Sequence, residues 1–377
     1  MRVATDHPKH PQHRERAASL LLVRLVMAEK TEGKSSPFSF SFTSPNSECN
    51  LRSSPETKPV MSGKGKTIIA PPTFTISSSQ NACPSSEESP WRQVDWSAGR
   101  ASVETIRSYA PAPDSVPAAR VLLVGPVGVG KSSFINSIQS VFYGRVVNRT
   151  MVGTCLNSSV SFTKQLQSYQ LYSSRERVDE SMALVLSDMV GLGETNGLTL
   201  HDTLAVIKGH VPDGHTFSAC CPVVSDTPGY VKEPSLAEKV HCVVFVVSGL
   251  EISSYSDTMK STFHQLREHI SALGVQQVAV LTHVDKVCAK TARDISQVYN
   301  GLLLKQAMLK VGDLLGMPLS SIVPVKNYSE ELELDPHTDT LLLGALNHIL
   351  QSVDLYLRDH PERGSAERAV SSASASS

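Results

Sequence analysis

The residues best suited to chemistry stand together at Gly125-Pro126-Val127-Gly128-Val129-Gly130-Lys131-Ser132, a full match to the spacing G-x-x-x-x-G-K-[ST]. The residue types say what that chemistry is. Glycine at 125, 128 and 130 lets the backbone curl until consecutive N–H groups face one point, where they can hold phosphate oxygens. Val129 and Ser133 lie in the same cradle. Lys131 has the length to reach the β- and γ-phosphates, and Ser132 offers a hydroxyl to Mg²⁺. A helix starting near Lys131 would add its positive end. The competing reading, a glycine-rich turn that holds no nucleotide, leaves a lysine among N–H donors with no anion to offset it.

A phosphate loop does not choose a base. Thr282-His283-Val284-Asp285 follows an apolar run and resembles the guanine motif [NT]-K-x-D with histidine for lysine. A carboxylate at Asp285 can accept hydrogen bonds from guanine N1 and N2, and adenine presents no matching pair. His283 would stack on the base; the alternative for Asp285 is a helix cap. Further on, Lys326-Asn327 stands where a guanine O6 contact from the backbone is expected. Two Asp-x-x-Gly segments compete for the γ-phosphate: Asp188 to Gly191 and Asp226 to Gly229. The better strand precedes Asp188, whereas Pro222 weakens the lead-in to Asp226. Leu192 follows Gly191 where a glutamine positions water in Ras-like enzymes, so hydrolysis is expected to be slow or partner-dependent. Thr150 and Thr154 both suit a switch threonine, with Thr154 slightly preferred. The expected Mg²⁺ ligands, direct or through water, are Ser132, Thr154 and Asp188.

These residues need a scaffold. Short apolar runs at Val121 to Val124, Ala183 to Leu186, Cys242 to Val247, Val278 to Leu281 and Ile322 to Val325 read as buried strands, and Gln165 to Tyr172 alternates like one. Helical periodicity follows at Lys131 to Tyr143, at Leu304 to Leu315 before Gly316, and at Leu342 to Tyr356. Strands alternating with helices predict an α/β fold, a three-layer P-loop NTPase (GTPase-like) domain around a mostly parallel sheet. The domain is expected over 90–360. Residues 1–89, rich in Ser and Pro, and the tail 361–377 read as disordered.

Composition narrows the partners. The 377 residues carry a net charge of −1, which offers no basic excess for nucleic acid or an anionic membrane. Seven cysteines without a Cys-x-x-Cys pair argue for reduced thiols rather than a disulfide framework or zinc. The apolar stretch near residues 17–28 is split by Arg24 and too short to span a bilayer, so the cytoplasm is the default. His7, His10 and His13 are separated by prolines that forbid a shared helical face.

The combined motifs resemble the interferon-induced protein 44 family. Those residues are Pro90 to Arg92, Arg120 to Phe134, Asn136 to Phe142, Met189 to Glu194, His241 to Phe245, Leu281 to Asp285, and Asn327 to Glu330. The resemblance implies a cytoplasmic, interferon-inducible protein of innate antiviral defence with a domain that binds GTP or GDP with Mg²⁺. It favours Asp188 over Asp226. Some members carry a further N-terminal domain, which the first 89 residues cannot form. The expected partners are guanine nucleotide and unidentified proteins, with no nucleic acid. Two other functions stay open: an interaction module that uses nucleotide structurally, and an ATP-binding protein.

Overall fold

The computed structural model describes residues 89–148, 150, 165–173, 181–193, 198–218 and 221–361. In chain order the helices and strands are α1 (Gly99–Arg107), β1 (Ala119–Val124), α2 (Lys131–Tyr143), β2 (Gln167–Tyr172), β3 (Ser181–Asp188) and α3 (Leu200–Ile207). Then come β4 (Cys242–Ser248), α4 (Asp257–Ala272), β5 (Gln276–Thr282), the short α5 (Val284–Val287) and α6 (Ala289–Arg293), α7 (Leu302–Leu315), β6 (Ile322–Pro324) and α8 (Pro336–Asp359). The six strands form one sheet in the order β2-β3-β1-β4-β5-β6. All neighbours run parallel except β2 and β3, which pair antiparallel with Gln167 opposite Asp188. Helices α2 and α8 pack together on one side, and α4 packs with α3 and α7 on the other. The fold is α/β with three layers.

Burial follows position in the sheet. Every residue of the central strand β4 is buried, as covering on both faces requires. The edge strand β2 instead alternates buried and more open residues, because helices cover only part of it. At the other edge β6 has three residues. Arg92 closes it off: Nη1 donates to Ile322 O at 2.9 Å and Nη2 to Leu319 O at 2.6 Å. The guanidinium also lies 5.3 Å from the Tyr299 ring centre, and Trp91 meets that ring edge-on. Pro324 brings no N–H to this edge, so a further strand would find few groups to pair with.

Local signals explain the helices that frame the site. Ser256 caps α4 by accepting from Met259 N–H at 3.1 Å, and Met259, Phe263, Leu266 and Ile270 turn one stripe inward. Asp335 caps α8 by accepting from Thr338 N–H at 2.8 Å, with Pro336 in the first turn. At the foot of the sheet His241 is fully buried. Its Nδ1 accepts from Arg120 N–H at 3.0 Å, so Nε2 must hold the proton that it donates to Leu236 O at 2.9 Å. Burial pushes the His241 pKa down to about 4, which keeps the ring neutral.

Candidate functional site

Strand β1 delivers the chain to Gly125 at the carboxyl end of the sheet, and α2 leaves from Gly130. Gly125 must be glycine because a Cβ there would run into the carbonyl oxygen of Val246 on β4. Loop residues 125 to 130 and the first turn of α2 therefore sit over the centre of the sheet. Lys131 is buried, and its Nζ donates to the loop's own carbonyls, Gly125 O at 3.0 Å and Pro126 O at 2.9 Å. An ammonium has three donors, and among the described residues these two carbonyls are its only hydrogen-bond acceptors. Burial lowers the Lys131 pKa, while the charge of Asp188 pulls it upward. A buried cation with a donor to spare, at a helix start ringed by N–H groups, fits a phosphate.

Asp188 ends β3 and is buried beside the loop, where Ser132 Oγ donates a short hydrogen bond to its Oδ2. A hydroxyl and a carboxylate in contact at this point fit a hydrated divalent cation. After Asp188 the chain turns back onto the loop. Leu192 N–H donates to Gly125 O at 3.0 Å, and a Cβ on Gly191 would lie 2.7 Å from Val127 N. Gly191 is thus small because it rests directly on the phosphate loop. The Leu192 side chain is buried in the core. Asp226 is exposed, bonded to the hydroxyl of Ser225 at 3.3 Å within a turn that Thr227 closes onto Val224 N–H. Of the two Asp-x-x-Gly segments, the first is the one beside Ser132.

Thr150 is tied to α2: its N–H donates to Asn136 Oδ1 at 2.8 Å and its hydroxyl to Ser132 O at 3.0 Å. Thr154 lies outside the described residues. Ser133 contributes its carbonyl, which accepts from Ser137 Oγ at 2.8 Å.

The base-side residues come from the ends of β5 and β6. Thr282 is buried and its hydroxyl donates to Val129 O at 2.7 Å, so it touches the loop rather than open space. His283 adopts a left-handed backbone, φ 58°, and its Nδ1 lies 3.1 Å from both Ser248 Oγ and Thr282 Oγ1. Burial, reinforced by the charge of Lys286, lowers the His283 pKa and favours a neutral ring. Asp285 is half-buried inside the first turn of α5; His283, not Asp285, holds the capping position. Among the described residues its carboxylate accepts no hydrogen bond. The helix-cap alternative for Asp285 is therefore not what the chain adopts. Lys326 is turned toward Glu331, 2.8 Å away. Burial alone would raise the Glu331 pKa, but Lys326 and the Ser329 N–H bring it down to about 2.

The sequence pointed to Lys326-Asn327 for a backbone contact but not to the Asn327 side chain, whose Nδ2 donates to Gly130 O at 3.1 Å. Nor did it point to the role of Asn136, the residue that fastens Thr150. Among the described residues no cluster of three or more His, Cys, Asp and Glu side chains could hold a metal by itself, and no helix is long and apolar enough to cross a membrane. Cys242 and Cys288 are buried and form no disulfide.

A phosphate loop between the first strand and its helix, on a sheet of this order, defines a P-loop NTPase-like α/β domain. Known proteins place it further. The chain is 36% identical over 260 residues to mouse interferon-induced protein 44, covering 69% of this chain and 60% of that protein. It is 35% identical over 271 residues to human interferon-induced protein 44-like, covering 70% and 58%. Over about 70% of its length the chain is thus similar in sequence to interferon-induced protein 44 and its 44-like relative, and it spans less than two thirds of the length of these proteins. No family model matches it. Similar solved structures include a probable GTP-binding protein, engB, at TM-score 0.36 and 13% identity, covering 62% of this chain and 98% of that one. Toc33 from Arabidopsis thaliana, in complex with Mg²⁺ and GMPPNP, gives TM-score 0.37 at 13% identity, covering 69% and 96%.

Proposed function

We propose that this domain binds GTP or GDP with Mg²⁺ and acts as a slowly hydrolysing guanine-nucleotide switch. The observation that carries the reading is Lys131, buried against two neutral carbonyls with one donor unspent, next to the Ser132–Asp188 pair. Lys131 and the N–H groups of residues 128 to 133 would hold the phosphates, and Ser132 with Asp188 would hold the metal, whose charge offsets that of the phosphates. Thr150 or Thr154 would complete the metal side. Gly191, resting on Val127, would move when a γ-phosphate enters, and that movement is the switch.

Guanine rather than adenine is supported by Asp285, whose carboxylate has no hydrogen-bond partner among the described residues, beside His283, whose lowered pKa favours a neutral ring. Slow hydrolysis is supported by Leu192, which contributes an apolar side chain to the core where a water-orienting group is needed. That same leucine favours the second reading, an interaction module that keeps nucleotide without turning it over. By kinship with the interferon-induced proteins, the setting would be the cytoplasm during an interferon-driven antiviral response, with protein partners that read the switch.

The test is titration of the full chain and its Asp285→Ala variant with fluorescent GTP and ATP analogues in Mg²⁺. Wild type should prefer GTP, and the variant should lose that preference. Equal affinities in wild type, or a preference that survives the substitution, would refute the guanine assignment.

A further inference from the structure

Two side chains grip the phosphate loop from behind at consecutive carbonyls. The Thr282 hydroxyl, at the end of β5, donates to Val129 O at 2.7 Å. The Asn327 amide, in the loop after β6, donates through Nδ2 to Gly130 O at 3.1 Å. Because a peptide is planar and trans, its C=O and the next residue's N–H point in opposite directions. Holding Val129 O from outside fixes where Gly130 N–H points, and holding Gly130 O does the same for Lys131 N–H. Gly130 O also starts the helix by accepting from Phe134 N–H at 2.9 Å, so the amide takes its second lone pair.

The approach is close. A Cβ on Gly130, already at φ +93°, would lie 2.9 Å from Asn327 Nδ2, so glycine is required for the amide to reach the carbonyl. The next residue strengthens the tie: Tyr328 N–H donates to Ser137 Oγ at 2.8 Å, in the second turn of α2. The Thr282 hydroxyl holds the first carbonyl, and Asn327 holds the second from the loop after a different strand. Its Oδ1 is buried and has no donor among the described residues, so the amide gains only through Nδ2.

We propose that Asn327 is a positioning residue of the nucleotide site, a carboxamide that locks the loop after β6 to the phosphate loop and sets the direction of the Lys131 N–H. This rests on the guanine-nucleotide reading above. It adds a residue on the base side of the site that acts on the phosphates through the backbone.

The experiment uses the full chain, mant-GDP with Mg²⁺, and two variants, Asn327→Ala and Asn327→Asp. Losing one hydrogen bond should weaken binding by about three- to tenfold in Asn327→Ala. Asn327→Asp keeps the shape but sets a carboxylate against Gly130 O, and should weaken it further. The ³¹P resonance of the bound β-phosphate should shift in the alanine variant, a change that a merely structural residue would not cause. Wild-type affinity and an unmoved ³¹P resonance in both variants would overturn the proposal while leaving the nucleotide reading intact. Should Asn327→Ala not fold, Asn327→Asp decides by the same two readouts. Failure of the wild-type chain to bind mant-GDP would instead refute the reading itself, and the proposal with it.

Discussion

Replacing Lys131 with methionine separates a binding role from a folding role. The two side chains have similar length, so the change removes charge and donors with little change in volume. In the folded protein burial disfavours the ammonium and Asp188 favours it. Of the two carbonyls it touches, Gly125 O keeps the Leu192 N–H and only Pro126 O loses its donor. Removing a poorly placed buried charge and orphaning one carbonyl are opposed effects of about 1–3 kcal/mol each. They should nearly cancel, so the Tm should stay within about 4 °C of wild type. Binding has no such compensation. Loss of charge-assisted contacts to phosphate should cost about 2–4 kcal/mol, or roughly 30- to 1,000-fold in Kd for GDP. Scanning calorimetry and titration on the same sample measure both. A methionine variant with wild-type affinity would refute the argument. So would one that melts far below wild type, because the lysine would then be part of the scaffold.

Two more outcomes follow from buried groups. His241 has an ordinary pKa of 6.5 and is held at about 4 in the fold, so the unfolded chain takes up a proton first. Its contribution is fully present above pH 6.5 and is lost as pH falls toward 4, by up to about 3 kcal/mol. His241→Phe should flatten that acid limb in urea melts at pH 4 to 7, and an unchanged limb would show that the ring does not titrate. Leu192→Gln places an amide in the core and should cost about 1–3 kcal/mol without speeding single-turnover GTP hydrolysis. Faster hydrolysis would mean that the side chain at 192 reaches the site after all.

The parts of this chain that could be read from sequence are those set by local pattern. Helix α2 was legible at both ends because an apolar strand, the glycine loop and Gly144 bracket it. Helix α4 was not read from the sequence, although Met259, Phe263, Leu266 and Ile270 behind Ser256 form the stripe that it buries. The antiparallel pairing of β2 with β3 was not legible, since register depends on which edge a strand joins. At the site, Lys131, Ser132 and Asp188 could be singled out because phosphate and metal chemistry calls for their types. The side-chain roles of Asn327 and Asn136 were not legible, because an asparagine that holds a backbone carbonyl or N–H has meaning only once the fold brings that peptide to it, in one case across 197 residues. Trp91 and Arg92 stood out as motif residues, but their work as a clamp on β6 depends on carbonyls at Leu319 and Ile322.

The central claim is that the loop from Gly125 to Ser132 and the carboxylate of Asp285 together hold a guanine nucleotide. The most direct measurement is to incubate purified full chain with equal GTP and ATP in Mg²⁺, remove free nucleotide, and identify what acid releases by chromatography. Guanine nucleotide is expected at close to one per chain, with adenine nucleotide in the minority. Release of mostly adenine nucleotide, or of none, would contradict it.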